Sequence, residues 1–453
     1  MVEKNRNVPT DRQKRFCFAA QSYETVEHFL KHCKKQKTTI RRHTQQMGQQ
    51  RAAATPPAQR GQPTFAGGFQ DNFMDISRIP SPCFVLDEAL LRRNLELIHG
   101  VQQAAGVQII LAFKGFAMWS VFPLVRQYLS GATASSLNEA RLCYEEMQTK
   151  AHTYAVAYSS CEFGQILNYS SHITFNSLSQ YRRFRRRLER YSEPISVGLR
   201  VNPEWSPVGT ALYNPASPGS RLGEVAENLR GGLPEGIEGL HFHTLCESSS
   251  YDLEKTLKHF EARFGHFFPQ LKWVNFGGGH LMTRVGYDVA HLVQVLKGFK
   301  ARYPHLHVIL EPGSAIAWDT GVLVATVLDI VKNKGVKTAI LDVSFTAHMP
   351  DTLEMPYRPR VRGANAEPTP SDVYRYRLGG VSCLSGDFME EYGFEAPLRV
   401  GQKLVFEDMI HYTMVKTTTF NGVTHPSIAI WREDGRLDVV RRFNYRDYKN
   451  RLS

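Results

Sequence analysis

The stretch VQIILAFKGFA, residues 107–117, reads as a short buried β-strand that runs straight into a lysine, Lys114. The apolar run is too short for an amphipathic helix and suits a strand covered on both faces, as in a parallel sheet. Working outward, strand-like runs recur at 131–135, 152–157, 172–175, 195–201, 237–243, 272–276 and 306–311, with helical stretches between most of them. In one of these, 251–264, Leu253, Leu257, Phe260 and Phe264 share a face. Eight strand-then-helix units in about 230 residues predict an α/β fold, a (β/α)8 TIM-type barrel. Beyond about residue 320 the texture changes. Strands are expected at 320–331, 338–342, 374–378, 403–406 and 428–432 with few helix signals, which predicts a C-terminal all-β domain. The expected division is a basic extension and linker at 1–76, a barrel at 77–319 and a β domain at 320–453. Strand 83–86 is left open to either domain.

Composition bounds the rest. Of 453 residues, 42% are hydrophobic and 22% charged, ordinary for a globular protein. No apolar run approaches the ~18–20 residues of a membrane helix, and neither a membrane partner nor a signal-peptide core is expected. The formal charge is +12, but residues 1–76 hold 13 Lys and Arg against 6 Asp and Glu, so most of the surplus lies in the extension. That segment is read as poorly ordered, with 22–35 as a short helical candidate. No basic stripe is interleaved with aromatics as a nucleic-acid surface requires, so no nucleic-acid partner is expected. The seven cysteines contain no C-x-x-C pair, which fits free thiols in a reducing, cytoplasmic setting and no metal site.

Barrel active sites lie at the C-terminal ends of the strands. There the sequence sets Lys114 after the first strand, His243 after 237–242, Gly277-Gly278-Gly279 after 272–276, and Glu311-Pro312-Gly313 after the last. A desolvated lysine can form a Schiff base. Three glycines allow backbone N–H groups to approach a phosphate. A carboxylate can keep a pyridine nitrogen protonated, and a histidine can lie against a ring. Each has an ordinary alternative: a snorkelling rim lysine, a tight turn, a rim salt bridge, a core histidine. His241 is expected on the same side of its strand as His243, one step deeper. In the β domain, Cys383 and Asp387 share a Gly-rich loop, where a thiol could deliver a proton. Tyr412 could offer a hydroxyl to a phosphate. Buried structural roles remain open for Cys383 and Tyr412.

LAFKGFA, GLHFHTLCE, FGGGH, EPG, GGVSCLSGD and FEDMIHYT together resemble the alanine-racemase-fold decarboxylases that use pyridoxal phosphate (PLP fold type III). IPSPCFVLDEALLRRNLELI, FNSLSQ, LYNPASPGSRLG, TAHMPDTLEMPYRP and TTTFNGV are similar to its carboxynorspermidine/carboxyspermidine decarboxylase branch in polyamine biosynthesis. The resemblance covers about residues 79–432. It implies PLP on Lys114, with His243 stacked on the ring, Gly277–Gly279 and Tyr412 at the phosphate, and Glu311 at the pyridine nitrogen. It also implies a homodimer with shared active sites. Cys383 would donate a proton across the interface, and Asp351, or Asp387 of the neighbouring subunit, would meet a substrate amine. Two departures bear on substrate. Ser314 follows EPG, where ornithine and diaminopimelate decarboxylases usually carry Arg and the carboxynorspermidine branch usually carries Glu. Leu245-Cys246 replaces the Gly-Ser pair of the sister enzymes. Both argue against the ornithine and diaminopimelate readings; diaminopimelate or another diamino acid is the alternative substrate, and a non-catalytic PLP-fold regulator is the second alternative.

Overall fold

The first barrel strand is formed in two pieces on either side of Ile110. The computed structural model describes residues 74–209 and 213–453; the expectations for residues 1–73, including the helix at 22–35, lie outside the described residues. After β1 (Cys83–Asp87) come β2 (Gln108–Ile109) and β3 (Leu111–Ala112), then β4 (Ala132–Ala134), β5 (Ala151–Tyr154), β6 (Ser170–Phe175), β7 (Ser196–Arg200), β8 (Gly239–His241), β9 (Trp273–Asn275) and β10 (His307–Leu310). Neighbours from β3 to β10 pair in parallel, and β10 returns to β2 with Ile309 opposite Gln108. β2 and β3 are one strand position, so the ring closes on eight, as the sequence predicts. Trp273 lies against that strand in a small apolar cluster with Ile110 and Ile309. Its indole occupies the space that a Cβ at Gly198 or Gly239 would need.

The helix Glu88–Ala105 shows why the outer layer forms. Asp87 caps its start by accepting the Leu90 N–H at 3.1 Å, and Gly106, at φ 62°, ends it in a left-handed conformation. Leu91, Leu95, Ile98, Val101 and Ala105 recur at three- and four-residue spacing and are buried. The helix Ser250–Phe264 buries Leu253, Leu257, Phe260 and Phe264, the face expected from the sequence.

A second, mostly antiparallel sheet follows: β11 (Gly321–Asn333), β12 (Val336–Leu341), β13 (Ala364–Asn365), β14 (Tyr374–Gly379), β15 (Phe388–Phe394), β16 (Lys403–Glu407), β17 (Ser427–Trp431) and β18 (Leu437–Arg441). Its order is β13-β15-β14-β12-β11-β1-β17-β18, with β16 also on β11. β1 belongs to this sheet, antiparallel to β11 and parallel to β17. Among the described residues no helix is long and apolar enough to cross a membrane. Short helices Phe345–His348, Asp351–Glu354 and Tyr412–Val415 interrupt the sheet, so this part is not purely β. A loop over the barrel reaches one of them, where the Tyr213 hydroxyl donates to the Glu354 carbonyl at 2.5 Å.

Candidate active site

Lys114, Tyr154, Arg200, His241, His243 and Glu311 line one cavity of about 600 Å³ at the C-terminal mouth of the barrel. Side chains two residues apart share a face of a strand, so His241 and His243 both line it, as expected. Glu311 is 8% exposed; Asn275 Nδ2 donates to its Oε1 at 2.6 Å, and His241 Nε2 lies 3.6 Å from its Oε2. Burial raises the Glu311 pKa, opposed by the Asn275 hydrogen bond and the charge of Lys114. Arg200 is also buried; it donates to the His243 carbonyl at 3.0 Å and lies over the Tyr154 ring at 4.8 Å.

The protonation state of Lys114 follows from its hydrogen bonds. The Gly278 N–H donates to His243 Nδ1 at 2.9 Å. Burial first, then Lys114 and Arg200, holds the His243 pKa well below its usual value, so the ring is neutral and its proton sits on Nε2. Nε2 is 3.1 Å from Lys114 Nζ. An ammonium has no lone pair to accept an Nε2–H, so this contact belongs to the neutral-amine form of Lys114. The amine reaches solvent through the barrel mouth but is enclosed on its other sides. Loss of hydration, and then Arg200, brings its pKa down to about 8.

The triple glycine is first a packing device. A Cβ on Gly277 would meet the Phe242 carbonyl oxygen at 2.6 Å; one on Gly278 would overlap the Glu311 carbonyl, and one on Gly279 the Leu245 carbonyl. The Gly277 N–H is given to Asn275 Oδ1 at 2.8 Å and the Gly278 N–H to His243. Of the three glycines expected at a phosphate, Gly277 and Gly278 thus give their N–H groups to protein acceptors. Gly279 has φ 92°. Gly279→Ala is expected to lower stability by roughly 3 kcal/mol, seen as a lower denaturant midpoint at unchanged slope.

The remaining expected residues lie in the β domain. Burial, then Cys246 and Glu247, pushes the Tyr412 pKa up to about 12, so its hydroxyl stays a donor. Asp351 is 5% exposed; Tyr357 and Thr413 each donate to its Oδ2 at 2.8 Å, while Oδ1 is buried without a hydrogen-bond partner. Cys383 is exposed and does not line the cavity of its own chain. Asp387 is turned inward, accepting from Thr346 N at 3.0 Å, Ser382 N at 3.2 Å and Ser382 Oγ at 2.6 Å. Its oxygens hold the loop that carries Cys383. Arg200, Tyr154 and Asn275 were not singled out from the sequence, although each lies at the C-terminal end of a barrel strand.

The sequence profile described as "Pyridoxal-dependent decarboxylase, C-terminal sheet domain" matches residues 83–410. The chain belongs to the pyridoxal-dependent decarboxylases. Carboxyaminopropylagmatine decarboxylase of Synechocystis is 54% identical over 377 residues, covering 83% of this chain and 96% of that one. Carboxynorspermidine/carboxyspermidine decarboxylase of Campylobacter jejuni is 44% identical over 387 residues, covering 83% and 100%. The crystal structure of carboxynorspermidine decarboxylase from the same organism, complexed with norspermidine, superposes with a TM-score of 0.76 at 42% identity, covering 82% of this chain and 100% of that chain.

A lysine captures an aldehyde such as that of pyridoxal phosphate only as its neutral amine, and on the expectation from the sequence that lysine is Lys114. With a pKa of about 8, about a tenth of it is neutral at pH 7, against fewer than about one in a thousand for a solvated lysine. The rate at which cofactor-free protein captures pyridoxal phosphate is expected to rise with pH through about 8 and then level off. Stopped-flow absorbance checks this, and a rise continuing past pH 10 contradicts it.

Proposed function

We propose that this decarboxylase acts on carboxynorspermidine or carboxyspermidine, giving norspermidine or spermidine, as a homodimer in the cytoplasm. The observation that carries the substrate reading is the buried, unpartnered Oδ1 of Asp351, a site that the cationic end of a polyamine would complete. The cavity residues fit the cofactor: Lys114 as an amine of lowered pKa, and both His241 ring nitrogens and Arg200 Nε as buried polar atoms without hydrogen-bond partners. Lys114 would link the cofactor, His243 stack on its ring, Glu311 face the ring nitrogen, and Gly279 and Tyr412 meet the phosphate. Bound there, the cofactor supplies an electron sink for the pair left behind when carbon dioxide departs. Glu311 would keep the ring nitrogen protonated, the positive charge that draws the pair in, and the Cys383 thiol would return a proton to the substrate carbon. The free thiols of Cys83, Cys143, Cys161, Cys246 and Cys383 support a reducing compartment.

Since Cys383 lies outside its own chain's cavity, it would serve the cavity of a second copy. Val381, Leu384 and Phe420 around it are 40%, 45% and 44% exposed, an apolar surface suited to that contact. Lys114→Ala and Cys383→Ala proteins, each nearly inactive, are expected to regain about a quarter of wild-type activity when dissociated and remixed, because statistical mixing leaves half of the dimers with one intact site of two. No recovery in verified mixed dimers contradicts sharing.

A second reading comes from the Synechocystis relative, whose name implies the same carboxyaminopropyl head with agmatine's guanidinium at the far end. Diaminopimelate is disfavoured by Leu245-Cys246 and Ser314, and the solved diaminopimelate decarboxylases are only 16–18% identical. A non-catalytic regulator is disfavoured by the retention of Lys114 and Cys383. The deciding experiment is product analysis of holoprotein with carboxynorspermidine, carboxyspermidine, carboxyaminopropylagmatine and diaminopimelate. Norspermidine or spermidine is the expected product, and turnover of only one of the other two overturns the first reading.

A further inference from the structure

Asn421 touches Cys383 twice through one atom. Its side-chain Oδ1 accepts the Cys383 backbone N–H at 3.0 Å and the Cys383 Sγ–H at 3.1 Å. The backbone N–H can only donate, so the side-chain atom of Asn421 facing it is the oxygen and not the amide nitrogen. The same oxygen can therefore only accept from the sulfur, so the contact is an S–H···O hydrogen bond. Asn421 sits at φ 57° and Gly422 at φ 71°, a left-handed turn that aims the amide at the thiol. The Cys383 loop is thus held at two places: Asp387 braces it through Ser382, and Asn421 fixes the sulfur itself.

We propose that Asn421 is a positioning residue for the final proton transfer: it fixes the Cys383 side chain through the S–H···O contact and aims it at the substrate carbon in the neighbouring subunit. This rests on the reading of Cys383 as the proton donor. The proton leaves sulfur for that carbon, the thiolate is reprotonated from solvent, and the Asn421 amide is unchanged. If the thiol is misaimed, a proton from solvent can land on the cofactor carbon instead. Hydrolysis with one water then gives pyridoxamine phosphate and an aldehyde in equal amounts.

The test uses two variants that both suit a left-handed turn. Asn421→Gly keeps the backbone and removes the acceptor, whereas Asn421→Asp keeps an acceptor oxygen. The first readout is pyridoxamine phosphate formed per decarboxylation in holoenzyme. The second is the rate at which iodoacetamide traps Cys383 in cofactor-free protein, since the thiolate is the reactive form. Asn421→Gly should raise both by about threefold or more, and Asn421→Asp should return both towards wild type. A residue that merely shapes the turn would leave Asn421→Gly like wild type in both, and that result overturns the proposal. Cys383→Ala run alongside separates the two readings. If it protonates its product cleanly, the proton-donor role of Cys383 falls, while the trapping rates still report on the Asn421 contact.

Discussion

Lys114→Ala is expected to lower kcat by about 10³-fold or more and to abolish the absorbance band near ~420 nm that survives dialysis in the wild type. The size follows from position. Lys114 is the one amine among the described cavity-lining residues, and loss of hydration, then Arg200, lowers its pKa to about 8. Alanine leaves His243 and Glu311 in place, so weak, non-covalent cofactor binding persists while the link is lost. A variant that keeps the dialysis-resistant band would contradict the assignment.

Glu311→Gln is expected to lower kcat by about 10²-fold or more with little change in KM and with the cofactor still linked through Lys114. Glutamine preserves the shape of the side chain and a hydrogen bond to Asn275, but it cannot hold positive charge on the ring nitrogen. In the proposed role this carboxylate stabilises the ring charge in the reacting state, so the loss falls on kcat. The buried setting that raises the pKa of Glu311 in the free protein is also what strengthens its pairing with a cation. Steady-state kinetics with the preferred substrate checks this; a kcat within about threefold of wild type would remove Glu311 from the chemistry.

The barrel was legible because its strands are short apolar runs bounded by loops, and all eight are found at the expected positions. β15 was not, because FMEEYGF places two glutamates and a glycine inside a strand, a pattern that reads as loop. β18 owes its pairing to the hairpin with β17 rather than to a buried face of its own. β1 could be assigned to a sheet only from its partners, because its burial suits either domain.

The site was legible in part for the same reason. Inspecting strand ends found Lys114, His243 and Glu311, and extending that inspection to β5, β7 and β9 would have found Tyr154, Arg200 and Asn275. What could not be read was how loops fold back on themselves. The inward turn of Asp387 depends on Thr346, forty-one residues away, and the contact of Asn421 with Cys383 spans thirty-eight. Neither separation leaves a periodic signal.

The account stands on one nitrogen. Reducing the pyridoxal phosphate-loaded protein with borohydride, digesting it and mapping the pyridoxyl group by mass spectrometry tests it most directly. The predicted result is a single modified peptide carrying the group on Lys114. A group found on another lysine, or on none in protein that is turning over substrate, would contradict it.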